Sequence, residues 1–78
     1  MKESRKRVWL RVLREGRHMT QTQVAADAGI SLTYYQYIEY GWRTPSEAVA
    51  ARLAKVLGFP PEFLNTFNHR EVIVAQSE

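Results

Sequence analysis

Between Ser31 and Gly41 the chain runs Leu32, Thr33, Tyr34, Tyr35, Gln36, Tyr37, Ile38, Glu39 and Tyr40, a stretch rich in hydroxyls and with one amide. If this run is helical and Tyr35 and Ile38 point into a core, the helical repeat turns Leu32, Thr33, Gln36 and Tyr37 to the opposite, solvent-facing side. The chemistry on that side is hydrogen bonding and apolar contact rather than bond making. A helix face of this kind can enter a major groove.

Covalent chemistry has little to work with elsewhere. The 78 residues include no cysteine, which removes disulfides, thiolate nucleophiles and cysteine-ligated zinc, and two isolated histidines, His18 and His69, make a poor metal site. No Ser/His/Asp constellation and no phosphate-binding glycine loop is visible, so the reading is not an enzyme, with no metal and no cofactor. No apolar run approaches the roughly 20 residues that span a bilayer.

Charge is unevenly spread. In the first 17 residues seven bases oppose two acids, a net +5, while the remaining four bases and six acids give −2. Such a basic segment attracts a polyanion, or it is simply the solvated face of a charged helix.

The elements that must position the polar face are marked by glycines. Gly16, Gly29, Gly41 and Gly58 each follow a segment with helical patterning, over 5–15, 21–28, 32–40 and 45–57. Thr20 with Gln23 and Thr44 with Glu47 fit capping boxes, Pro45 suits a first helical position, and Ser31 is a plausible cap. Pro60 and Pro61 can start a short fifth helix through Phe67. Leu10, Leu13, Val24, Ala25, Ala28, Tyr35, Ile38, Ala50, Leu53, Ala54 and Leu57 recur at helical spacing and define the expected core. The resulting expectation is a compact all-α domain over 1–67 and a tail over 68–78. Within that tail, Glu71 to Ala75 reads as a frayed terminus or as a strand pairing with a second copy.

The segment from Gln21 to Tyr40, with its corner at Gly29, the apolar plug Ile30 and the small Ala25, reads as two helices crossing steeply. Thr20-Gln21, Val24-Ala25, Ala28-Gly29-Ile30-Ser31, Ile38-Glu39, Gly41, Arg43, Pro45-Ser46, Leu53-Ala54 and Leu57-Gly58 together resemble the Cro and phage-repressor family, the xenobiotic-response-element regulators. The likeness covers about residues 8 to 64. It implies a five-helix, lambda-repressor-like helix-turn-helix domain. It also implies a cytoplasmic, nucleoid-associated regulator that binds double-stranded DNA as a homodimer on two half-sites.

Carried over by position, the resemblance places Leu32, Thr33, Gln36 and Tyr37 at base edges, with Gln36 suited to adenine N6 and N7. It places Gln21 and Arg43 at backbone phosphates. Tyr40 is either a phosphate or sugar contact or surface packing, as is Tyr34. Trp42, where the family often has a base, either packs beneath the loop or reaches a phosphate through its indole N–H. Arg14 and Glu39 match a structural salt bridge. Tyr35 departs from the family's usual Ile or Val, which leaves the tilt of the third helix open. Trp9 reads as a cover for the core or as a dimer contact. Two functions fit: a transcriptional regulator such as a phage repressor or restriction-modification controller, or an antitoxin-like module whose main partner is another protein.

Overall fold

The computed structural model describes residues 6–64. Four helices run in order: α1 (Val8–Gly16), α2 (Gln21–Ala28), α3 (Leu32–Tyr40) and α4 (Glu47–Leu57). A further helical segment occupies 62–64, in the region where the fifth helix is expected. Residues 65–67 and the tail with its candidate strand lie outside the described residues.

The helices meet in one apolar cluster. α2 packs on both α3 and α4, and α1 packs on α3. Leu10, Val24, Ala28, Tyr35, Ile38, Ala50, Leu53, Leu57 and Leu64 are fully buried in the cluster, whereas Leu13 is only partly covered. Trp9 lies at its edge, with Phe59 and Phe63 meeting its ring edge-on at 5.1 and 5.5 Å. Among the described residues no helix is long and apolar enough to cross a membrane.

The turn between α2 and α3 follows from three residues. Gly29 takes the left-handed conformation at φ 72° and ends α2, with its N–H reaching Ala26 O. Ile30 is half-buried against the core. Ser31 then caps α3, its hydroxyl accepting from the Tyr34 N–H at 3.0 Å. At the start of α2 the Thr20 hydroxyl accepts from Gln23 N–H while the Gln23 side chain accepts from Thr20 N–H, a complete capping box.

Three boundaries differ from the sequence expectation. α1 begins at Val8 rather than at Arg5, because Arg7 is tied to the end of α3 by its backbone N–H, 2.9 Å from Glu39 O. A tertiary bond there overrides helix propensity. Gly16 does not stop α1 but sits inside its last turn, and His18 adopts the left-handed conformation instead at φ 58°. α4 is capped by Ser46, not by a Thr44–Glu47 box with Pro45 at the first helical position. The Ser46 hydroxyl accepts from Val49 N–H at 3.2 Å, and Pro45 is buried ahead of the cap. Ser46→Ala should therefore destabilise by about 1 kcal/mol, whereas Thr44→Ala should stay within about 0.5 kcal/mol. Urea unfolding of the two variants checks the assignment.

Arginines satisfy the carbonyls that helix ends leave open. Arg52 Nε donates to Ala28 O at the end of α2 (2.7 Å), and Arg17 Nε donates to Leu57 O at the end of α4 (3.0 Å). Arg7 Nη1 donates to Ile38 O near the end of α3 and to Arg43 O at 3.1 Å. Each cation also lies where the helix dipole is negative. Among the described bases of the N-terminal segment, some serve the fold and some face outward. Arg7, Arg14 and Arg17 are committed to internal acceptors, while Lys6 and Arg11 lie on the surface.

Candidate nucleic-acid interface

α3 is anchored on its inner side by Tyr35, Ile38 and Glu39, all buried. Its outer side carries the expected base readers. Leu32 and Thr33 at the N-terminal end are exposed; Gln36 and Tyr37, one turn on, are half-buried. Tyr34 is partly buried against the core, which favours packing over a ligand contact for that ring.

The Gln36 amide is held by the side chain of Gln21, from the first turn of α2. Gln36 Nε2 donates to Gln21 Oε1 at 3.1 Å. Gln21 Nε2 in turn donates to Glu39 Oε2 at 3.2 Å and lies 3.5 Å from the Tyr40 hydroxyl. The residue expected at a phosphate therefore already spends both ends of its amide within the protein.

Glu39 is the centre of this arrangement. Arg14 approaches it with two parallel hydrogen bonds, Nε to Oε1 at 2.9 Å and Nη2 to Oε2 at 3.0 Å. This fork geometry is the strong form of a carboxylate–guanidinium contact. The Tyr35 hydroxyl adds a third donor at 2.7 Å from Oε1. Burial by itself would raise the Glu39 carboxyl, but the hydrogen bonds from Arg14 and Tyr35, the Arg14 charge and the Gln21 amide outweigh it. The carboxyl is held below its usual range. Its hydrogen bond to Glu39 raises Arg14, and burial with the Glu39 contact raises the Tyr35 phenol, so the pair stays charged and the phenol neutral.

The Tyr35 ring is fully buried and its hydroxyl reaches the ion pair one turn away. An Ile or Val at this position has no group to make that bond.

An aromatic group forms the C-terminal edge of the surface. Trp42 is 65% exposed, which excludes packing beneath the loop, and its ring lies 5.6 Å from Tyr37 and 5.5 Å from Tyr40. Arg43 is exposed, with its guanidinium carbon 5.8 Å from the centre of the Tyr37 ring. Beside this edge, Arg11, Thr20, Gln21 and Tyr40 line an open recess between α1 and the end of α3.

Arg7, the Tyr35 hydroxyl and the Gln21–Gln36 pair are absent from the sequence reading. A signal for Arg7 existed. Arg7, Leu10 and Arg14 recur at the spacing of one helix stripe, so two arginines interrupt a core phase where an exposed cation has no place. The other two depend on side-chain geometry that spacing does not contain.

A short helix, a left-handed glycine corner and a second helix laid across a small core, with its polar side outward, define a helix-turn-helix domain. The helix-turn-helix family matches over residues 10–64, and the chain belongs to it, in the Cro and phage-repressor branch. Its members are DNA-binding regulators of transcription. An uncharacterized HTH-type transcriptional regulator, YqaF of Bacillus subtilis (strain 168), is 42% identical over 53 residues, which cover 68% of this chain and 70% of that protein. No solved structure matches.

Proposed function

We propose that the protein is a sequence-specific transcriptional regulator that binds a two-fold operator as a homodimer, with α3 in the major groove of each half-site. Leu32, Thr33, Gln36 and Tyr37 meet base edges, Gln36 reading adenine through its amide. Gln21, Tyr40, Trp42 and Arg43 flank that face and meet the backbone. The observation that carries this reading is the outer face of α3, where exposed Leu32 and Thr33 adjoin a Gln36 amide held at the surface by Gln21. Dimerisation follows from the shortness of one recognition helix, which spans only a few base pairs, and from the two-fold operators of such domains. Its place is on the nucleoid.

Selection of bound sequences from a random duplex pool tests the reading. Gln36→Ala should relax preference at one base pair per half-site, and a selected consensus unaltered by that change would refute base reading by Gln36. Arg43→Ala should weaken all duplexes alike and reduce the salt slope by about one. An unchanged slope would remove Arg43 from the phosphate contacts. Footprinting with light scattering should show a two-fold site bound by two chains.

A further inference from the structure

We propose that Glu39 is a positioning residue for base recognition: through Gln21 it fixes which end of the Gln36 amide faces which way, and so the order in which Gln36 offers acceptor and donor to the groove. This rests on Gln36 reading a base.

The argument starts from the charge of Glu39. A carboxylate has only acceptors, and hydrogen bonds from Arg14 and Tyr35 keep this one ionised. The Gln21 amide beside it must therefore turn its NH2 toward Glu39, because the reverse would bring a carbonyl oxygen against a buried negative oxygen with no proton between them. With its nitrogen committed to Glu39, Gln21 presents only its carbonyl oxygen to Gln36. The Gln36 amide must answer with its own NH2, at 3.1 Å.

One hydrogen of Gln36 Nε2 is thereby taken inward. What remains for the groove is the edge carrying Oε1 and the other N–H, the edge that pairs with adenine N6 and N7. Flipping the amide would leave the same two groups but exchange their places. When A·T becomes T·A, the thymine methyl replaces adenine N7 and the O4 acceptor replaces the N6 donor, so a fixed amide would set its Oε1 against O4 and lose both bonds, whereas a freely flipping amide turns its N–H to O4, recovers one bond and discriminates less. Tyr40 falls under the same control. The second hydrogen of Gln21 Nε2 points to the Tyr40 oxygen at 3.5 Å, which leaves the Tyr40 O–H to donate outward.

The chain of control is therefore Arg14 and Tyr35 to Glu39, Glu39 to Gln21, and Gln21 to Gln36. Its inner half is buried; its outer half reaches the surface.

The test compares affinities for two duplexes that differ only by exchange of A·T for T·A at the base pair that Gln36→Ala identifies. The full chain should prefer one order at least tenfold. Gln21→Met keeps the side-chain length and removes all three amide contacts, and its ratio should fall below about threefold, as should that of Glu39→Gln, whose amide accepts either orientation. A ratio is the appropriate readout because a lost phosphate contact or a lower folded fraction reduces both affinities together. Should Glu39→Gln not fold, Gln21→Met decides alone, since its position is half-exposed and its helix cap is made by Thr20 and Gln23. A tenfold ratio retained in the folded variants would overturn the positioning role while leaving base reading by Gln36 intact. A pool selection that Gln36→Ala does not alter would remove the base reading, and the positioning role with it.

Discussion

Glu39→Ala should destabilise the domain by about 3–5 kcal/mol, the cost of leaving a buried cation without its partner. The carboxylate is 4% exposed and accepts from Arg14, Tyr35 and Gln21, so the truncation strands three donors at once. A chain of this length has roughly 4–12 kcal/mol in total. Loss on that scale should lower the melting temperature by roughly 15 °C or more and leave a substantial unfolded fraction near room temperature. The cause is the orphaned charge rather than lost attraction, which makes a specific contrast. Replacing both partners, Arg14→Met with Glu39→Leu, should be less damaging than Glu39→Ala alone, and a double variant that melts lower than the single one would exclude this cause. Acid should act on the same group. Because the folded carboxyl lies below its unfolded value, its contribution is fully present above the ordinary carboxylate range and is lost as pH falls through the depressed folded value. Stability measured by urea should decline from about pH 5 downward, and less steeply in the double variant.

The family motif was legible because it is made of backbone requirements. A helix stop at Gly29, a cap at Ser31 and a small residue at Ala25 are local demands that residue type satisfies almost alone, and α2 and α3 have the bounds their punctuation implies. The start of α1 was not legible, because Arg7 answers to a carbonyl on α3, 32 positions away in sequence. The cap of α4 was ambiguous for another reason. Thr44 and Ser46 are both good caps two residues apart, and the choice rests on where Pro45 and Val49 find cover. In the interface, helical phase identified the outer face of α3, but not that Gln36 and Gln21 hold each other. Two flexible side chains from different helices can meet or miss at the same sequence spacing; the ion pair behind them settles the outcome here.

Tyr35 carries the other large effect. Tyr35→Ala should cost about 3–5 kcal/mol, since a fully buried aromatic side chain leaves a cavity that neighbouring helices close only in part. Tyr35→Phe keeps nearly all the packing and removes only the hydroxyl, so it should cost about 1.5–3 kcal/mol, the range for a hydrogen bond to a charged group. The difference between the variants separates what the ring contributes from what its bond to Glu39 contributes. If the hydroxyl matters only through that bond, Tyr35→Phe should become nearly neutral once Glu39 and Arg14 are replaced by apolar residues. A double-mutant cycle on urea unfolding measures this coupling. An interaction energy near zero would mean that the phenol is held for its shape alone, and that the ion pair organises the recognition helix without it.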